Sequence, residues 1–246
     1  MHHQTRTAVL LIILLAVMSG LYVFNRISEP YSVNPETAEV YPFNGTVPPE
    51  ISLGTTTQKN IIFTFDAGSG TASVVPVLNA LKKHGIKSTF FMTGQWVLRN
   101  PELARMIVAD GHEVFNHSFN HPHLTELSDE LIAAQLRTAD EAISDIIGSS
   151  TKPYFRPPYG DRDARVLAAA AKAGYQSVYW TADAGDWMES EGMTSDEVKY
   201  RIFSNLRPGA IILMHLGDSI TGTILDEVIT EVERLGYETV SLTQGL

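Results

Sequence analysis

The chain has 246 residues, of which 44% are hydrophobic, enough apolar side chains for the core of one large domain or two small ones. Its net charge of −10 argues against a nucleic-acid partner, because phosphate binding requires clustered Lys and Arg side chains. The absence of cysteine excludes disulfides and thiolate metal sites, so any bound metal would need nitrogen and oxygen ligands.

Residues 8–24 form an almost unbroken apolar run, with Arg6 before it and Arg26 after it. At about 1.5 Å per residue, the run is near the lower limit for a helix that crosses a bilayer. It predicts a signal-anchor over residues 1–25, with the N-terminus in the cytoplasm and the rest of the chain outside it. Secretion after cleavage of a signal peptide is the alternative, although Val17-Met18-Ser19 is a weak cleavage site.

Residues 26–59 are expected to form an extended spacer. Proline fixes φ and removes a backbone donor, and the segment contains Pro30, Pro35, Pro42, Pro48 and Pro49. From residue 60 onward the pattern changes to alternating strand-like and helix-like segments. Residues 60–246 are therefore expected to form one folded domain.

Short runs of β-branched and aromatic residues predict seven strands, at residues 61–65, 88–92, 112–116, 154–156, 176–181, 210–214 and 237–242. Amphipathic segments between them predict helices at residues 73–84, 100–110, 128–147, 162–173, 194–207 and 223–235. Ser128 is expected to cap the third of these helices, and Thr194 with Glu197 to form a capping box on the fifth.

Strict alternation of strands and helices predicts a parallel sheet covered by helices. About seven strands fit a closed or nearly closed barrel, and a doubly wound open sheet is the alternative. No Gly-x-Gly-x-x-Gly segment follows the first strand, so a dinucleotide site is not supported.

Ionisable side chains recur where the predicted strands end, which is where a parallel β/α barrel carries its active site. They are Asp66, His117, His121, Arg156, Asp183 and His215. Any one of them could be structural, but their recurrence at one end of the sheet predicts a shared site. His117 and His121 are four residues apart and can bind one metal ion if the chain turns between them, because imidazole is the commonest metal ligand.

Five segments, in order along the chain, resemble the motifs of the polysaccharide deacetylases, carbohydrate esterase family 4. They are Thr64-Phe65-Asp66-Ala67-Gly68, His117-Ser118-x-x-His121, Arg156-Pro157-Pro158-Tyr159-Gly160, Asp183-x-x-Asp186-Trp187 and Leu213-Met214-His215. The resemblance covers roughly residues 60–244 and makes the predicted domain a catalytic one. It implies a distorted (β/α)7 barrel and metal-dependent removal of acetyl groups from N-acetylated amino sugars.

The resemblance also implies roles for the strand-end residues. His117 and His121 hold one divalent ion, for which Zn²⁺ is expected and Co²⁺ or Ni²⁺ would serve. Asp66 is the general base, and Arg156 orients it and keeps it ionised. His215 is the general acid that protonates the leaving amine.

Roles for four further residues follow from the same resemblance. Asp183 holds His215 in its cationic form, since a nearby carboxylate raises a histidine pKa. The backbone N–H of Tyr159 stabilises the oxyanion. Trp187 and Leu213 form the walls of an apolar pocket for the acetyl methyl group, although Leu213 could equally be ordinary core.

Ala67 is the one departure from the family pattern, which usually has there a second aspartate that binds the ion. Three consequences are open. Asp66 could move onto the metal, water or Ser69 could fill the position, or the affinity for metal could be low.

An envelope enzyme follows from these features, anchored in the cell membrane with its catalytic domain outside the cytoplasm. Its expected substrate is peptidoglycan or another N-acetylglucosamine polymer, and the protein is expected to be a monomer. A non-catalytic glycan-binding protein on the same fold and an esterase of O-acetyl groups are the alternative functions.

Overall fold

The computed structural model describes residues 45–246, and within them a parallel sheet of eight strands forms the centre of the fold. The strands are β1 Asn60–Ala67, β2 Thr89–Met92, β3 Glu113–Asn116, β4 Tyr154–Phe155, β5 Gln176–Ser177, β6 Ala182–Asp183, β7 Ala210–His215 and β8 Glu238–Thr239. Their order is β5-β4-β3-β2-β1-β7-β6, with β8 also paired to β1. This is the cyclic order of a barrel, opened between β5 and β6, so the predicted distorted barrel is confirmed and the doubly wound alternative is wrong.

Residues 51–54 lie at the opening between β5 and the β6–β7 pair. Ile51 forms a parallel bridge to Val178, which follows β5, and Leu53 forms an antiparallel bridge to Ala210 of β7. The Ile51 N–H donates to Ser177 O at 2.9 Å. The end of the predicted spacer therefore contributes backbone hydrogen bonds to the sheet.

Eight helices cover the sheet in residues 45–246. They are α1 Val74–Lys83, α2 Gly94–Arg99, α3 Pro101–Ala109, α4 Asp129–Ile147, α5 Ala164–Lys172, α6 Ser195–Ser204, α7 Ile220–Arg234 and α8 Leu242–Gly245. The two predicted caps are confirmed: Ser128 accepts from Leu131 N–H at the start of α4, and Thr194 and Glu197 form a capping box on α6.

Two predicted strands differ from the observed ones, and one observed helix was not predicted. The strand expected at residues 176–181 is limited to β5, because Ser177 O and Tyr179 N–H bond to Ile51, and β6 begins after it at Ala182. The strand expected at residues 237–242 is limited to β8, because Ser241 and Gln244 form a capping box that begins α8. The helix α2 was not predicted, and it begins where Thr93 accepts from Trp96 N–H.

The interior of the barrel places the candidate site above an apolar layer. Side chains alternate along a strand, so Ile62, Thr64 and Asp66 of β1 share one face. Ile62 belongs to a buried cluster with Phe91, Phe115, Val178, Ile211 and Leu242. Two residues further along β1, Asp66 is at the carboxyl end of the sheet, so the apolar layer closes the site from below.

None of the helices within residues 45–246 is long and apolar enough to cross a membrane. The predicted signal-anchor, residues 1–25, and residues 26–44 of the predicted spacer lie outside the described residues and stay predictions.

Candidate active site

Two of the predicted catalytic residues are neighbours across the sheet. Asp66, on β1, is the register partner of His215, the last residue of β7. Adjacent strands lie about 4.8 Å apart, so the pairing of β1 with β7 is enough to place this carboxyl group beside this imidazole. Asp66 is 5% exposed, and the side chain of His215 is 25% exposed. A buried carboxyl group and a half-buried imidazole therefore lie side by side at the carboxyl end of the sheet.

His117 and His121 lie on a tightly turned loop after β3, here called the histidine loop (residues 117–121). Ser118 and His121 have φ of 66° and 62°, a left-handed conformation that costs a non-glycine residue about 1–3 kcal/mol. The turn brings the two Nε2 atoms to 3.1 Å from each other. The predicted convergence of the two histidines is thus observed.

The tautomer of His117 follows from its partner on Nδ1. That nitrogen lies 2.9 Å from Arg156 O, and because a carbonyl oxygen only accepts, Nδ1 carries the proton. The neutral ring then has its lone pair on Nε2, the atom that faces His121. This is the arrangement that backbone carbonyls impose on metal-binding histidines.

Both imidazoles are held in the neutral form that a metal ligand requires. Burial, with a further contribution from the neighbouring His117, lowers the pKa of His121 to about 3. Burial also lowers the pKa of His117, and this outweighs the opposing effect of Asp66. Neither ring needs to lose a proton before it binds a metal near neutral pH.

The buried guanidinium of Arg156 keeps the carboxyl group of Asp66 ionised. Burial alone would raise its pKa, but Arg156, together with His117 and His215, holds the pKa of this carboxyl below its usual range. Arg156 NH1 donates to Asp66 Oδ1 at 2.7 Å, and the arginine is fully buried. The other oxygen, Oδ2, lies 3.4 Å from His117 Nε2.

The protonated form of His215 is stabilised mainly by Asp186 and less by the predicted Asp183. Its Nδ1 lies 2.9 Å from Asp186 Oδ1, and its backbone N–H donates to Asp186 Oδ2 at 2.7 Å. Burial would lower the pKa of His215, but the hydrogen bond and charge of Asp186, with smaller effects of Asp66 and Asp183, raise it to about 8. The predicted partner Asp183 therefore contributes only a smaller charge effect, and Asp186 is the carboxylate that is hydrogen-bonded to His215.

Asp183 bonds instead to residues of the loop that follows β6. Its Oδ1 accepts from Gly185 N–H at 2.7 Å and its Oδ2 from Trp187 Nε1 at 3.2 Å. Within residues 45–246, Asp183, Asp186 and His215 are also the three-residue group whose ligand-type atoms lie within 4.8 Å of one another. Because protein N–H groups already occupy these carboxylate oxygens, the group fits the orientation of His215 better than the binding of a metal ion.

The residues present fit a divalent ion at the histidine loop. Two imidazole nitrogens that share one tetrahedral ion, each about 2.0–2.1 Å away, lie roughly 3.3 Å apart, close to the observed 3.1 Å. A carboxylate oxygen of Asp66 adjoins the pair. Ala67 is fully buried, and the Ser69 hydroxyl lies against Gly217. Of the three consequences left open by Ala67, movement of Asp66 onto the metal would use the one carboxylate oxygen that Arg156 leaves free, so filling of the position by water or Ser69, or a low affinity for metal, stays the prediction.

The three predicted substrate-binding residues lie around this centre. Tyr159 has φ of 58°, is 62% exposed and packs edge-on against His121, with 4.4 Å between ring centroids. Trp187 is 45% exposed, whereas Leu213 is 2% exposed and shares the inner face of β7 with His215. His123, to which the sequence assigned no role, stacks on Tyr159 at 4.2 Å.

Asp186 is the functional residue that the sequence reasoning did not assign. The signal was present, because Asp183 and Asp186 are three residues apart in one motif. Only the fold shows which carboxylate faces His215, since Gly185 between them adopts φ of 76° and turns the chain.

Comparison with known families agrees with this geometry. The profile of a family described as polysaccharide deacetylase matches residues 53–178, slightly more than half of the chain. The peptidoglycan-N-acetylmuramic acid deacetylase PdaA of Bacillus subtilis is 35% identical over 185 residues, which are 75% of this chain and 70% of that protein. A chitooligosaccharide deacetylase of Bradyrhizobium is 36% identical over 159 residues, 65% of this chain and 71% of that protein.

Solved structures with the same fold include an enzyme and a pseudoenzyme. The structure of Bacillus subtilis PdaA, a family 4 carbohydrate esterase, has a TM-score of 0.75 at 33% identity and covers 80% of this chain and 84% of that chain. A pseudoenzyme of the same family from Bacillus anthracis has a TM-score of 0.76 at 33% identity, with coverages of 80% and 69%. A mutant of that pseudoenzyme is described as having restored enzymatic activity.

Proposed function

Because the chain belongs to the polysaccharide deacetylase family, we propose that it removes acetyl groups from N-acetylated amino sugars of peptidoglycan with the help of a divalent metal ion. One observation carries the proposal: Asp66 and His215 lie side by side with opposite pKa shifts, next to two neutral histidines. Groups whose environments drive their pKa values apart supply a base and an acid at one pH. Relatives that are named peptidoglycan-N-acetylmuramic acid and peptidoglycan-N-acetylglucosamine deacetylases support the choice of polymer.

His117 and His121 would hold the ion, with Asp66 as the adjoining carboxylate. When bound, the ion would polarise the acetyl carbonyl group and lower the pKa of a water molecule. Nitrogen and oxygen ligands without thiolates suit Zn²⁺, and Co²⁺ or Ni²⁺ could replace it.

Asp66 accepts a proton from the attacking water. Its Oδ1 is bonded to Arg156, so Oδ2 is the oxygen that remains for the proton. Arg156 is oriented by two further bonds, from Nε to Val178 O and from NH2 to Tyr179 O. The base is therefore fixed in position and kept ionised by a cation that cannot move away.

His215 donates a proton to the amine that leaves when the C–N bond breaks. Its Nδ1 is engaged by Asp186, so Nε2 carries the proton to be transferred. The Tyr159 N–H is assigned to the developing oxyanion. The next two N–H groups, of Gly160 and Asp161, already donate to Pro157 O and Pro158 O within the turn. Trp187 and Leu213 are assigned to the pocket for the methyl group.

The enzyme would act outside the cytoplasm as a monomer. The apolar run at residues 8–24 supports attachment to the cell membrane, with secretion after cleavage as the alternative. The spacer that follows would let the catalytic domain reach the polymer.

A non-catalytic glycan-binding protein is the second candidate. Two observations favour it: alanine occupies position 67, and a pseudoenzyme of the same family has a similar fold. The ionised base and the protonated acid count against it, because a binding protein has no need of opposite pKa shifts.

The test is acetate release by the purified full-length chain after loading with Zn²⁺. Peptidoglycan, chitooligosaccharides and acetylxylan are compared, with His215→Ala as the variant that removes the acid. Release from peptidoglycan that His215→Ala reduces at least 100-fold supports the proposal. Release confined to acetylxylan would identify an O-acetyl esterase, and binding of peptidoglycan without release would identify the non-catalytic alternative.

A further inference from the structure

Gln135 is a buried amide that the proposed chemistry does not use. It lies on the inward face of α4 with apolar neighbours at Ile132, Leu136 and Ala139, and it is only 7% exposed. A buried amide needs hydrogen-bond partners. The partners of Gln135 all lie on the histidine loop.

Gln135 bonds to the two residues between Ser118 and His121. Its Oε1 accepts from Phe119 N–H at 3.0 Å and from Asn120 N–H at 3.3 Å. Its Nε2 donates to Asn120 Oδ1 at 2.7 Å. One side chain of α4 thus bonds to both backbone amides in the middle of the histidine loop.

The ends of the loop are fixed by other groups. Asn116 Oδ1 accepts from Ser118 N–H at 2.9 Å, and Ser118 Oγ accepts from His121 N–H at 3.1 Å. The Gly94 N–H donates to Ser118 O at 3.1 Å, and the ring of Phe119 fills the space where a side chain at position 94 would lie. Gln135 is therefore the part of this network that connects the loop to α4.

The arrangement of the two imidazoles depends on this loop. Ser118 and His121 both hold a left-handed backbone conformation, which persists only where the surroundings determine it. If the Phe119 and Asn120 amides lost their acceptor, the loop could relax toward ordinary φ values. The two Nε2 atoms would then no longer be held 3.1 Å apart.

We propose that Gln135 is a positioning residue that holds His117 and His121 in the geometry for binding one divalent ion. The inference rests on the proposed metal centre but concerns a residue on a different element of the fold. It assigns to α4 the function of setting the affinity of the site for its ion, since supporting partners of metal ligands typically contribute 10–100-fold to affinity.

The test is Co²⁺ binding to the full-length chain, measured by the dissociation constant and the visible absorption spectrum. Gln135→Met keeps the length and apolar stem of the side chain but removes all three bonds, and it should weaken Co²⁺ binding by about 10–100-fold. Gln135→Glu keeps an acceptor oxygen for the two loop amides, and Asn120 can turn its side-chain amide to donate to the second carboxylate oxygen. This variant should bind Co²⁺ within a few-fold of wild type and keep the wild-type spectrum.

Ser128→Ala is the matched control. It removes the N-cap of the same helix without touching the histidine loop, so it lowers thermal stability and should leave the dissociation constant unchanged. Equal loss of Co²⁺ affinity in Ser128→Ala and Gln135→Met would show a general effect of helix stability and overturn the inference. Gln135→Met binding within twofold of wild type would also overturn it. Absence of Co²⁺ binding by the wild-type chain would instead refute the metal centre itself.

Discussion

Replacing Asp186 with asparagine removes the charge that keeps His215 protonated while retaining a side chain of nearly the same shape. An asparagine oxygen can still accept the His215 backbone N–H that Asp186 Oδ2 now accepts. Asp183→Asn is the matched control, because it neutralises the carboxylate three residues earlier that bonds to Gly185 and Trp187.

The structure gives the size of the expected effect. Asp186 is the main cause that raises the pKa of His215 from 6.5 to about 8, and burial acts in the opposite direction. Without Asp186 the pKa should fall to 6.5 or lower, a change of about 1.5 units or roughly 30-fold in the ratio of protonated to neutral ring. At pH 7 the protonated fraction of His215 would fall from about nine-tenths to a quarter or less.

The assay is the pH dependence of acetate release, together with NMR titration of the His215 ring. A general acid is active while protonated, so activity is present below its pKa and is lost as the pH rises through it. The alkaline limb near pH 8 should move down by about 1.5 units in Asp186→Asn and by less than about 0.5 unit in Asp183→Asn. A larger shift in Asp183→Asn, or none in Asp186→Asn, would refute the assignment.

Three further substitutions test the rest of the site. Arg156→Met should raise the pKa of Asp66, because burial then acts without the guanidinium, so the acidic limb of the pH profile of acetate release should move to higher pH. The same variant should lower the free energy of unfolding in urea by about 3–5 kcal/mol. An unmoved acidic limb would mean that Asp66 is not the base. His117→Ala and His121→Ala should each abolish stoichiometric Zn²⁺ binding in equilibrium dialysis, and a retained ion would place the metal elsewhere. Ala67→Asp should tighten Zn²⁺ binding by more than about tenfold by adding a ligand beside the pair, and unchanged affinity would show that residue 67 does not reach the ion.

The sequence was sufficient for the position of most site residues, because the ends of parallel strands meet at one edge of a sheet. Asp66, His117, Arg156 and His215 all lie where this rule places them. The buried strand β1 is equally clear in the sequence, since residues 61–65 form a short run of β-branched and aromatic side chains. The positions of residues at strand ends could be predicted without knowing how the loops turn.

Contacts made by loops could not be foreseen in the same way. The choice between Asp183 and Asp186 depends on the left-handed turn at Gly185, and the early end of the strand expected at residues 176–181 depends on hydrogen bonds to Ile51. Gln135 resembles an ordinary polar interruption of an apolar helix face until the fold brings the histidine loop against it. Each of these depends on segments distant in sequence, which local patterns do not encode.

The central claim is tested most directly by acetate release from peptidoglycan with and without the ion. The full-length chain is stripped with a chelator, divided, and one half is reloaded with one equivalent of Zn²⁺. We expect acetate and free amino groups in equal amounts from the reloaded half and none above background from the stripped half. Equal activity in both halves would contradict a metal-dependent centre at His117 and His121, and no release from either would contradict a deacetylase.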